Sequence, residues 1–319
     1  MFNTRLRILG LAKRHRFPAA TYSALIRSTS RVDEGIGFKT SLQQGIDVVA
    51  LLFAGLGIIF FISANWQTDN PFPMFAGLEL TLIATAVCAA RSVRHRTAVT
   101  LLGLLVIGAL LAFFGQHYQS GADLWQMFAL WAALGLPLAL AARSDAIWCA
   151  WIIVAMTGLS LWWRGQGRWP PANLESAGLV AIAMTFCVAF ALSTSLRRYT
   201  GSGVWSFNLA IFYFTALSTA AGMISLFESH SGLYVVALLA TACAAGLYRL
   251  PQLFDIRALT ICALGLDMLI VGGVTKITLN SRSLIVVFGL SALAAIGTLW
   301  VTVSSLLALY RNRVAKDKP

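Results

Sequence analysis

The chain has 319 residues, of which 58% are apolar and only 11% charged, whereas soluble globular chains carry about 25% charged residues. With a mean hydropathy of +0.77, this composition excludes a pair of soluble domains and defines an integral membrane protein. The formal charge of +12 does not point to nucleic acid, because the Lys and Arg residues punctuate apolar segments instead of forming one basic face with a matching motif.

A spanning helix needs about 20 apolar residues. Runs of that kind predict ten helices, at 46–64, 72–90, 97–114, 125–142, 146–163, 176–195, 205–226, 232–248, 257–273 and 283–310. The runs are continuous and do not alternate, and lipid cannot satisfy the backbone of an open strand, so helices are expected and a barrel is not. The fold class is therefore all-α, a polytopic membrane bundle of about ten helices. Residues 1–45 form a basic N-terminal segment in which two short helices are expected, about 4–15 and 18–29, with Pro18 in the first turn of the second. It has no uninterrupted apolar core or cleavage site of a signal peptide. It reads as an interfacial segment against anionic lipid or as a small docking hairpin. The transmembrane domain follows at 46–310, and a basic tail at 311–319 closes the chain.

Basic residues gather in cytoplasmic loops. With both termini inside, 20 of the 24 Lys and Arg residues fall on the cytoplasmic side and 4 outside. That segregation supports an even number of spans, cytoplasmic termini and residence in a bacterial inner membrane.

The first four helices contain a repeated hairpin, 46–90 and 97–142, at an offset of 52–53 residues. Leu51-Leu52 falls on Leu104-Leu105, Gly55 on Gly108, Phe60-Phe61 on Phe113-Phe114, and Ala89-Ala90-Arg91-Ser92 on Ala141-Ala142-Arg143-Ser144. A two-span unit keeps its orientation from copy to copy, unlike the inverted repeats of many secondary transporters.

The same hairpins carry motifs. Gly55 to Trp66 is a glycine-containing helix ending in Ala64-Asn65-Trp66; Gly115-Gln116-His117-Tyr118-Gln119-Ser120-Gly121 follows, and then Leu130-Trp131-Ala132 with Pro137-Leu138-Ala139. These stretches resemble the A-N-W, G-Q-x-Y-Q-x-S-G and L-W-A-x-x-x-x-P-L-A patterns of a bacterial inner-membrane family known only as a domain of unknown function. The resemblance covers about residues 1–165. It implies a multi-spanning membrane protein and assigns no activity.

Two carboxyls fall near the middle of a predicted span, Glu79 and Asp267. An acidic residue at a helix centre is unfavourable by about 2.5–3.5 kcal/mol on insertion scales and usually faces a bundle interior or an ion path. No Lys or Arg lies at similar depth, so the expected compensation is protonation of the carboxyls or hydrogen bonds to helix hydroxyls such as Thr81 or Thr260. A second cluster sits at the outer helix ends: Asn65 and Trp66 on one hairpin, Gln116, His117, Tyr118, Asp123 and Trp131 on the other. Amides, an imidazole and rings at one depth suit a pocket for a polar ligand. They equally suit an interfacial aromatic belt with satisfied polar caps.

The four histidines all fall in loops or at helix ends, which excludes a haem held by an intramembrane pair. No phosphate-binding loop, nucleophile elbow or zinc-protease motif occurs. The five cysteines lie inside predicted spans with no C-x-x-C spacing. No catalytic residue, metal or cofactor is therefore expected. Pro137, inside a span, is expected to kink the fourth helix. The expected function is movement or recognition of a small polar molecule or ion, with a non-catalytic scaffold or accessory subunit of an envelope or respiratory complex as the alternative. A membrane transferase on lipid-linked substrates is a weaker third. The expected partners are the bilayer, other membrane subunits or a small polar ligand, and no nucleic acid.

Overall fold

Each of the ten predicted runs folds as a helix, as the absence of water in a bilayer core requires of a spanning backbone. The computed structural model describes residues 43, 45–64, 70–93, 95–118, 121–165, 174–228, 231–250, 253–279 and 283–316. Among them are α1 (Gly45–Ala64), α2 (Phe72–Arg91), α3 (Arg96–Tyr118), α4 (Leu124–Ala142), α5 (Asp145–Arg164) and α6 (Leu174–Ala191). The one-turn α7 (Arg197–Thr200) precedes α8 (Val204–Phe227), α9 (Ser231–Arg249), α10 (Ile256–Thr278) and α11 (Leu284–Lys316). No strand occurs among the described residues. Nine of these helices are long and apolar enough to cross a membrane. The sixth run, predicted to reach residue 195, stops at Ala191 because turns closed by Ser193 N–H to Phe190 C=O and Leu196 N–H to Ser193 C=O redirect the chain into α7. The two short helices expected before residue 45 lie outside the described residues.

Two helices organise the bundle. α3 and α8 are the most buried of the long spans; α3 packs against α2, α4 and α5, and α8 against α5, α6, α9 and α10. Lipid tails are as apolar as Leu, so helices associate in a membrane through close packing rather than through exclusion of water. Around α3 the packing sets large side chains on glycines. The Trp131 ring covers Gly108, Leu105 covers Gly55, Leu104 covers Gly135 and Phe128 covers Gly158. Around α8 large side chains again sit on glycines, Leu269 on Gly222, Met223 on Gly272 and Leu233 on Gly178, and Ala210, Ala221, Ala177, Ala181, Ala237 and Ala258 are fully buried. α4 runs unbroken through Pro137, so the expected kink does not interrupt the helix.

Residues 47, 95–96, 141–145 and 198–206 are tied together in two groups at helix ends. There His95 Nδ1 meets Asp47 Oδ2 at 2.9 Å, and the Arg96 guanidinium donates to Ala141 C=O at 2.6 Å. Arg143, in the left-handed region at φ 50°, donates to the carbonyls of Arg198 and Tyr199. Gly201, at φ 67°, presses against Arg143, where any Cβ would collide. The strongest tie is Asp145, at the start of α5. Its carboxylate accepts the backbone N–H groups of Gly203 (2.9 Å), Trp205 (3.1 Å) and Ser206 (2.8 Å), closing the N-terminus of α8 across some 60 residues of sequence. A carboxylate at that end meets both the orphan N–H groups and the positive pole of the helix.

Candidate intramembrane site

Asp267 occupies the middle of α10 and α11 packs along that helix, so its carboxyl meets α11 instead of lipid. Thr302 Oγ1 on α11 donates to Asp267 Oδ1 at 3.0 Å. Oδ2 is buried and has no hydrogen-bond partner. The hydroxyls expected to satisfy the two buried carboxyls are committed elsewhere: Thr260 donates to Ile256 C=O and Thr81 to Gly77 C=O, each within its own helix. This corrects the expected partners. A threonine can bond back to the carbonyl four residues earlier at no cost in tertiary geometry, which takes it out of reach of a neighbouring acid.

Asp267 lines a crevice of about 560 Å³ formed by α10, α11 and the end of α8. Its walls include Met223 and Phe227 from α8, Leu264 and Met268 from α10, and Leu299 and Thr298 from α11. Thr298 spends its hydroxyl on Ala295 C=O. Thr275 also lines the crevice and shares a hydrogen bond with Ser291 at 2.9 Å. At the end of α10, Lys276 Nζ lies 5.5 Å from the centre of the Phe227 ring. The crevice is thus an apolar slot with one free carboxylate oxygen and an aromatic face already occupied by a cation.

Glu79 differs. It is exposed on the outside of α2, beside the exposed Leu80 and Ile83, and has no hydrogen bond or ion pair among the described residues. Of the two deep acids, Asp267 faces a neighbouring helix and Glu79 does not, so the two do not share a cavity.

The outer-face residues separate in the same way. Gln116 and Asp123 line a crevice of about 740 Å³ between the end of α3 and the start of α4, together with Gln126 and Phe114. Asp123 also accepts from Trp125 Nε1 at 3.3 Å. His117 stacks on Phe113 and meets Tyr118 edge-on, and Tyr118 lies against Phe75 and Phe114. Trp131 does not join them. Its indole N–H donates to Leu104 C=O at 2.7 Å and its ring fills the space over Gly108, so it clamps α4 to α3. Asn65 and Trp66 lie outside the described residues. Among the described residues no group of three His, Cys, Asp or Glu side chains could hold a metal ion.

These features define a polytopic helical membrane protein with lipid-facing helices and crevices between them. Residues 11–148 match the model of a family described as a predicted membrane protein, DUF2157, a domain of unknown function. The match spans α1 to α4 and ends in the first turn of α5, within the stretch whose motifs carry the resemblance. No curated protein and no solved structure matches the chain. Glu79 and the outer crevice therefore lie inside the family match, and Asp267 with its crevice lies beyond it.

Proposed function

We propose that this is a non-enzymatic bacterial inner-membrane protein that recognises or moves a small polar molecule or ion, with Asp267 as the group that binds it. The observation that carries this reading is the buried Asp267 Oδ2, held in place by Thr302 through its sister oxygen and left without a donor in a crevice large enough for a ligand. A charged carboxyl with one oxygen unmatched in a low-dielectric site is unfavourable, and it escapes that cost by taking up a proton or by pairing. A bound cation or hydrogen-bond donor removes that penalty. Orientation follows from the loop charges, with 20 of the 24 basic residues on the cytoplasmic side and both termini there. The test is reconstitution of the full chain in liposomes loaded with a pH-sensitive dye, under an imposed gradient of ammonium ions. Dissipation that disappears in Asp267→Asn supports the role; equal rates in wild type and variant remove it.

The accessory-subunit reading has its own observation. Glu79 stands bare at mid-span on the outer face of α2, and a partner helix that donates to it would relieve the cost of its exposure to lipid. In mild detergent a stoichiometric membrane partner that is lost in Glu79→Leu supports this reading. A monomer of unchanged size in both forms sinks it.

A further inference from the structure

The crevice between α8, α10 and α11 narrows the kinds of ligand that Asp267 accepts. A metal cation requires several oxygens, six or more for Ca²⁺ and a near-octahedral set for Mg²⁺. Here the polar side chains of the walls are the Asp267 carboxyl, Thr298 bonded to its own helix, and Thr275 bonded to Val271 C=O and Ser291, with Thr302 behind the wall on Asp267 Oδ1. The walls are otherwise aliphatic, thioether and aromatic. A quaternary ammonium is recognised mainly by aromatic faces. Phe227 is the one ring in the walls, and Lys276 already covers it at 5.5 Å. An anion is refused by the carboxylate. What the geometry leaves is a positive charge that carries an N–H, attached to an apolar body: the N–H makes a charge-assisted hydrogen bond to the Asp267 carboxyl and the body lies against Met223, Leu264, Met268 and Leu299. The volume of about 560 Å³ is within the range of pockets that enclose drug-sized ligands.

We infer that the crevice is a binding site for protonated hydrophobic amines, taken with the ammonium inward against Asp267. This rests on the reading of Asp267 as the binding group and names its ligand class. Four probes of one chain length separate the alternatives: octylammonium, octanol, octyltrimethylammonium and octanoate. Binding is measured on the full chain in lipid nanodiscs, in wild type, Asp267→Asn and Thr302→Val. A photoreactive alkylamine then locates the bound probe by mass spectrometry.

The expected result is octylammonium binding at least tenfold tighter than octanol or octyltrimethylammonium. That preference is lost in Asp267→Asn and reduced in Thr302→Val, with labelling on α10 and α11. Equal affinity for amine and alcohol, tighter binding of the quaternary ion, or a preference that survives Asp267→Asn overturns the inference. Should the amine preference be absent while liposome dissipation still depends on Asp267, the ligand class falls and the broader role of Asp267 stands. Folding of each variant is checked by its elution profile, and Asp267→Glu, which keeps the charge, is the rescue variant if Asp267→Asn does not fold.

Discussion

The half of the bundle built on α3 and the half built on α8 share one packing device, large side chains set on glycines, and differ in the polar groups they bury. Around α3, rings and branched aliphatics sit on glycines, and the Trp131 and Trp151 indoles in those contacts find acceptors in Leu104 C=O and Ala132 C=O. Around α8, alanines approach each other closely and hydroxyls accumulate in the contact, with Ser218 Oγ and Thr219 Oγ1 buried and unpartnered. The acids follow the same division. On the α3 side Glu79 points out of the bundle, whereas on the α8 side Asp267 points into a slot that α11 closes. A dry half that fits tightly is suited to holding a shape. The half with unused polar groups is suited to holding something else.

Three substitutions would break or sharpen that contrast. The largest effect belongs to the junction between the halves. Asp145→Ala removes the acceptor of the Trp205 and Ser206 N–H groups at the start of α8 and leaves Gly203 N–H with Ser206 Oγ alone. Hydrogen bonds to charged groups contribute about 1.5–3 kcal/mol each and are not additive, so a loss of about 3 kcal/mol is expected as a lower melting temperature in detergent. Asp145→Asn, which keeps one acceptor oxygen, recovers part of it. If Asp145→Ala melts like wild type, the junction does not hold the halves together.

Next comes Gly108→Leu, which drives a side chain into the Trp131 ring. Overpacking of this kind costs about 1–3 kcal/mol. The expected signature is a shift in Trp fluorescence together with lower stability, and Asp267-dependent binding that survives in the folded fraction. Loss of that binding at unchanged stability would show that the two halves are not separate in function.

The smallest effect is expected from Glu79→Gln. Surface substitutions away from packed contacts stay within about 0.5 kcal/mol. The melting temperature of the isolated chain should therefore be nearly unchanged. A large shift would mean that Glu79 has a partner inside the bundle.

Much of the fold was legible in the amino-acid sequence because a bilayer permits few alternatives: run length locates each helix, and loop charge orders them. Direction around a helix axis was not legible. In a soluble protein an apolar stripe marks the buried face, but in a membrane the lipid-facing side is as apolar as the core, so Glu79 and Asp267 look equivalent until the packing is known. Thr302 was hidden for a related reason. It lies 35 residues from Asp267 and becomes its donor only when α10 and α11 are paired in register. Trp131 shares an outer-end motif with residues of the crevice, yet Gly108 on the neighbouring helix draws its ring inward. Asp145, at the edge of a span, gave no signal of its own, since its three donors lie far along the chain.

The hydrogen bond from Thr302 to Asp267 also sets an order of events during synthesis. α10 leaves the ribosome first, and its carboxyl has to wait for a donor that is encoded 35 residues later. At about 5–20 residues per second that interval is about 2–7 s. Throughout it, α10 carries an unmatched acid that disfavours its release into lipid, and the arrival of α11 supplies the missing hydroxyl. The last two helices are thus expected to leave the insertion machinery as a pair, and a ribosome stalled before residue 302 should hold α10 at the exit of that machinery.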